Sequence, residues 1–499
     1  LAGVLVFNMG LNIVMAVMFV QQRGQLRAAQ AAAAQTRQSA PAPAAGGGED
    51  AALKQQLERS EKDRIKASRD AAGMRAQLDE LKTAAQERDD LKSKVQQLQQ
   101  ENGQLRNEVG NLQSMNTING QVVALRGLQP QRGVPRQFMN RAQLRSYFTD
   151  EMNKEMSSEE EQRQIKNLRA LGMDNGVTSL RQAQIDDYVN NVLGFYNQET
   201  KQLVVITDRP KMGIGDQITY AHEFTHNLQD QHFDLTALFA QARGNSDYQN
   251  AIRGLVEGDA TLSMGLYARD NLSDMDIVKY QLELIKNLDV SRYFGGGGGP
   301  MVESAMEFPY TDGATFVGQL YRSGGWPAVN QAFKNPPRST EQVLHPAKYA
   351  RGEQPVPVGL PNLQAALPGW KLLDEDTLGE LYMRIFLEFQ VDIDTAVEAG
   401  EGWGGDRYQT LTDDKGRLVL ALRSAWDSQA DAQEFFLTYG AYVASEGKGA
   451  PAQPLGQGRV RWKLPGQEVY LSMSGAQVLV LRAPDAPTLD ALIAQFPGF

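Results

Sequence analysis

The run His222-Glu223-Phe224-Thr225-His226 restricts this chain more than any other feature. Residues four apart on an α-helix share a face, so a helix here turns both imidazoles toward one point. That arrangement suits a zinc ion, which needs at least one more ligand from a separate segment. A chain built around these five residues must therefore bring a second element against their helix. Glu223 would lie beside the metal, where a carboxylate can take a proton from an activated water. The pattern predicts helices over 217–230 and 250–268, with Asp216 as N-cap of the first. Upstream, 192–196 and 202–207 are β-rich runs joined by Asn197-Gln198-Glu199-Thr200-Lys201, a hairpin signal. The second of them is expected in a sheet under the helix.

The chain has no cysteine, so any metal falls to His, Asp or Glu. It has four histidines, three of them between 222 and 232. Spacing offers His232 as third ligand, in the manner of the HExxHxxGxxH run. Gln229, however, stands where that run has the glycine that turns the chain back at positive φ. If the helix continues past Gln229, His232 is carried away from the metal. The other candidate is Glu257, in Leu255-Val256-Glu257-Gly258-Asp259-Ala260. A carboxylate from a second helix gives a His2Glu set, and Gly258 and Ala260 allow close helix approach. The glycine argument favours Glu257, with His232 as the alternative. Asp259 is read as either an acceptor that orients a histidine or a solvated charge. Hydrolysis at such a centre also needs a donor for a developing oxyanion. His345, in Ser339-Thr340-Glu341-Gln342-Val343-Leu344-His345-Pro346, and Tyr349 are the candidates.

The rest of the chain reads as separate modules. Residues 1–22 are expected to be a transmembrane anchor: 1–20 are apolar apart from Asn8 and Asn12, long enough to span a bilayer core. A cleaved signal peptide is the alternative, and the span is long for one. Because the chain opens on Leu1, a preceding segment is expected. Residues 23–50, rich in Ala, Gln, Pro and Gly, read as a flexible linker. Residues 51–115 read as a coiled coil. In it Leu91, Val95, Leu98, Asn102, Leu105, Val109 and Leu112 alternate by four and three, with Asn102 at an a position that selects register and a dimer. Five consecutive glycines at 295–299 predict a mobile loop. From about residue 370 a long helix, then short strands and a helix near 428–445, are expected. The net charge of −10 argues against nucleic-acid binding, which needs clustered Lys and Arg.

The run Ala221-His222-Glu223-Phe224-Thr225-His226-Asn227-Leu228-Gln229-Asp230-Gln231-His232-Phe233-Asp234-Leu235 resembles the active-site helix of a poorly characterised group of bacterial gluzincin-like proteins. The resemblance also takes in Gly194-Phe195-Tyr196, Glu257 to Ala260, Ser339 to Pro346 and Gly402-Trp403-Gly404-Gly405-Asp406-Arg407-Tyr408, and spans about 118–499. Asn227 departs from the small residue expected at its position. The resemblance implies a zincin fold, zinc on His222, His226 and Glu257, and Glu223 as general base. Trp403, Asp406 and Arg407 read more readily as turn-setting residues than as a substrate groove.

The expected fold class is α+β: a zincin-like metallopeptidase domain (118–355) and a small C-terminal α+β domain (370–499), preceded by a transmembrane helix and coiled coil. The expected function is zinc-dependent hydrolysis of protein or peptide substrates, by a membrane-anchored homodimer or higher oligomer with its body in the cell envelope, outside the cytoplasm. The alternative is a catalytically silent zinc-binding envelope scaffold.

Overall fold

The computed structural model describes residues 49–173, 176, 178–191, 194–206, 211–287 and 299–499. The chain divides into two compact units, Leu1–Gln100 and Glu101–Phe499. In the first unit the described residues are helix throughout, with exposed side chains, as its Ala, Gln, Glu and Lys content favours. That helix, α1, runs over Glu49–Arg126.

In the second unit the elements begin with β1 (Arg136–Met139), α2 (Arg141–Glu155), α3 (Ser158–Leu171), α4 (Leu180–Asn191), β2 (Gly194–Asn197) and β3 (Gln202–Ile206). They continue with α5 (Ile214–Phe233), α6 (Leu235–Ala240), α7 (Ser246–Asn271), α8 (Asp274–Asn287), α9 (Gly299–Lys334), α10 (Thr340–Leu344), α11 (Pro346–Arg351) and α12 (Leu363–Ala366). Then follow β4 (Trp370–Asp376), α13 (Gly379–Glu388), α14 (Ile393–Gly400), β5 (Trp403–Asp413), β6 (Leu418–Trp426) and α15 (Gln429–Glu446). The chain ends with β7 (Gln453–Gly456), β8 (Arg459–Leu464), β9 (Gln467–Ser474), β10 (Gln477–Ala483) and α16 (Ala486–Ile493).

Two sheets organise this unit. The smaller has the order β1-β3-β2, with β1 and β3 parallel and β2 and β3 an antiparallel hairpin. Strand alternation divides β3 between two cores. Leu203 and Val205 meet Ala221, Phe224 and Leu228 of α5 and Met115, Ile118 and Val122 of α1. Val204 and Ile206 meet Leu144, Phe148 and Ile185 of α2 and α4. The larger sheet is antiparallel, in the order β4-β5-β6-β10-β9-β8-β7. One face packs on α13, α14 and α15, and the other on α12 and α16.

Several expectations change. The fold is α+β and mostly helical, but the zincin-like architecture is not what the structure shows. The five-residue motif dictates a helix face and says little about the packing around it. Among the described residues no helix is long and apolar enough to cross a membrane. The long helix α1 carries charged residues along its length, which would be costly in hydrocarbon. The anchor at 1–22, the linker over 23–48 and glycines 295–298 lie outside the described residues. A membrane-anchored chain therefore has no support, and the envelope location that rested on the anchor is withdrawn with it. Residues 370–376 are a strand where a long helix was expected, because Trp370 to Asp376 pair with Tyr408 to Asp413 of β5, far along the chain.

Candidate metal centre

Helix α5 is built to hold its histidines rigidly. It starts after Gly213, whose N–H donates to the Asp216 carboxylate 2.7 Å away, so Asp216 serves from the first turn and not as N-cap. The helix runs unbroken through Gln229 to Phe233. The sheet-facing residues Ala221, Phe224 and Leu228 anchor one side. His222 and His226 face α7, where Glu257 stands mid-helix.

Three ligand atoms converge there. Glu257 Oε2 lies 3.1 Å from His222 Nε2 and 3.3 Å from His226 Nε2, and the two Nε2 atoms are 3.0 Å apart. A tetrahedral zinc with bonds near 2.05 Å would set its ligand atoms about 3.3 Å apart. The donor set and spacing thus fit a zinc ion with little movement. Glu257 is held well below the usual carboxylate range: burial opposes this, but the His226 charge and hydrogen bonds from His222 and His226 outweigh it. The same pairing raises His226 to about 9 against the effect of burial.

Glu223 is at the edge of this group. Its Oε2 accepts from the Tyr196 backbone N–H at 2.9 Å, which ties it to strand β2. Burial pushes its pKa up, opposed by His222 and His226 and aided by Glu257. A carboxylate with raised proton affinity, fixed beside a metal centre, suits proton transfer.

His232 is not brought in. Because α5 continues past Gln229, His232 turns to the 129–131 loop and lies 2.7 Å from the Gln129 carbonyl. His345 ends α10 and begins α11, with Nε2 2.8 Å from Glu380 Oε1. The Glu380 carboxylate raises its pKa against burial and Arg384. Tyr349 donates its hydroxyl to the Asn335 carbonyl at 2.8 Å and packs edge-on against Phe316. Neither joins the three ligands. The aromatic residue beside them is Tyr310, half exposed on α9, with its ring centroid 6.1 Å from that of His222. Tyr310 lies 88 positions beyond His222 (310 − 222), with no motif around it, and sequence reasoning missed it.

A second convergence of carboxylates, Glu341, Glu353 and Asp427, is already filled. Lys348 Nζ lies 2.5 Å from Glu341, 3.1 Å from Glu353 and against Asp427, so an ammonium ion occupies the position a metal would take. Asp406 and Arg407 are also structural. Asp406 is buried and accepts from the Leu378 and Gly379 N–H groups and from Trp403 Nε1, while Arg407 pairs with Glu375.

A family model for a domain of unknown function, DUF8575, matches residues 370–493, the stretch that holds the seven-stranded sheet. No curated protein and no solved structure matches the chain. The likeness to gluzincin-like proteins therefore stands on its sequence motifs, and no structural neighbour supports a zincin fold.

Proposed function

We propose that this protein is a zinc-dependent hydrolase of peptide bonds, centred on His222, His226 and Glu257. The observation that carries the reading is the convergence of these three ligand atoms within 4.8 Å of one another, with Glu223 alongside on the same helix. A zinc ion held by these three residues would supply a polarised, acidified water. Glu223 would take a proton at its carboxylate and return it to the leaving amine. Tyr310, or His345 from its Glu380 cluster, donates to the oxyanion that develops on the scissile carbonyl. The test incubates the zinc-loaded full chain with a peptide library. Cleavage by the wild type and not by Glu223→Gln supports hydrolysis. Equal cleavage by both, or none with zinc bound, contradicts it.

A second reading, an assembly protein, is favoured by the surface of α1. Leu91, Leu98, Leu105 and Leu112 at d and Val95 and Val109 at a are all exposed. β-Branched a with Leu d suits a parallel pair of helices. Glu87 and Glu101 fall at g, with Lys92 and Arg106 at the e positions five residues on, so a second copy in register meets opposite charges. In light scattering the full chain is a dimer under this reading. It is contradicted if the chain is monomeric at micromolar concentration, and Glu223→Gln leaves the dimer intact.

A further inference from the structure

The residue that stands where a turning glycine was sought has a different use. Gln229 follows His226 by three positions and shares its helix face. Its Nε2 donates to the Val256 carbonyl and to Asp259 Oδ2, each at 2.9 Å. Both of those partners are acceptors, so the amide cannot be turned the other way. Its Oε1 is thereby aimed at His226 Nδ1, 2.9 Å away. An amide oxygen only accepts, so Nδ1 carries the proton and Nε2 faces His222 and Glu257.

Asp259 is itself fixed. It is fully buried and receives two hydrogen bonds from the fully buried Arg126, at 2.8 and 3.0 Å. Arg126 closes the last turn of α1 and its guanidinium lies over the Trp326 ring, 4.3 Å from the centroid. The Trp326 indole N–H in turn donates to the Leu125 carbonyl.

We infer that Gln229 is a positioning residue, held by the Asp259–Arg126 pair, which sets the tautomer of His226 and so presents Nε2 to a zinc ion. This rests on the metal reading above and deepens it. Outer partners of this kind typically change metal affinity by about 10–100-fold.

The test uses the full chain and two independent readouts. The first is zinc affinity by chelator competition. Gln229→Leu, which fills the space without an acceptor, is expected to bind zinc at least about tenfold more weakly. The second readout needs no metal: histidine-selective ¹⁵N spectra in alkaline buffer, where the imidazole is neutral. His226 is expected as the Nδ1–H tautomer in wild type and as a mixture in Gln229→Leu. If the wild type binds no zinc, the metal reading fails while the tautomer result still decides this one. If Gln229→Leu keeps both the wild-type tautomer and the wild-type zinc affinity, the inference is overturned.

Discussion

Gly258 and Gly313 meet backbone to backbone where α7 crosses α9. A Cβ at Gly258 would overlap the Gly313 carbonyl, and one at Gly313 would overlap that of Gly254. Glu257 immediately precedes Gly258 on α7, so its reach toward the histidines depends on this close crossing. Gly258→Ala is expected to cost about 1–3 kcal/mol by overpacking and to lower bound zinc. Gly265 on the same helix is exposed, and a Cβ there meets nothing within 4 Å. Gly265→Ala is expected to gain about 0.5–1 kcal/mol from helix propensity alone. Thermal unfolding and metal analysis of the two variants check both statements.

The pairing of His226 with Glu257 gives the metal-free protein a pH dependence. A histidine with raised pKa stabilises the fold fully below its unfolded value, near 6.5, and loses that contribution as pH rises through about 9. Metal-free protein is therefore expected to melt at falling temperature between about pH 6.5 and 9. Zinc needs the neutral imidazole, so zinc binding at pH 7 is expected to release a proton. Calorimetry in buffers of different ionisation enthalpy reads that proton directly. No proton release would contradict the pairing.

Asp406 predicts the same sense over a lower pH window. Burial lifts its pKa to about 6 despite the Leu378, Gly379 and Trp403 hydrogen bonds. A carboxyl raised in the fold contributes stability at low pH that declines as pH rises from the unfolded value through about 6. Asp406→Asn places an N–H against a donor and is expected to cost about 1–3 kcal/mol at pH 4, with the penalty smaller at pH 7, where the wild-type carboxylate has lost its contribution. Urea unfolding at the two pH values decides it.

The oxyanion donor is separable by kinetics. If Tyr310 serves, Tyr310→Phe lowers kcat by about 10²–10³ with little change in KM, and His345→Ala acts mainly on stability, because the buried Glu380 carboxylate loses its histidine partner. The reverse pattern assigns the role to His345. Steady-state rates on one cleaved peptide are enough to tell them apart.

How much of this was legible follows from where each signal lies. The motif helix and the α7 helix could be read because their apolar spacing and the histidine pair are local. Glu257 could be proposed because Gly258 and Ala260 follow it, small residues that mark a close helix crossing. Gln229 was noticed only as a missing glycine, although its three-residue spacing from His226 already put both on one face. Arg126, Asp259 as its partner, and Tyr310 come together by tertiary contact, which leaves no periodic trace. Strand β4 was misread because Trp370 to Asp376 owe their strand form to β5, far along the chain. The run at Gly402 to Tyr408 reads in sequence more readily as a turn than as a groove, whereas only Gly402, at φ 73°, turns and the rest enters β5.

The central claim is a zinc site on His222, His226 and Glu257, and the most direct measurement is metal content of the purified full chain. Wild type, Glu257→Ala and His232→Ala are each dialysed against trace zinc and analysed by mass spectrometry. One zinc per chain in wild type and in His232→Ala, with loss in Glu257→Ala, is the expected result. Zinc lost in His232→Ala and kept in Glu257→Ala, or no zinc in wild type after adding it back, would contradict the site.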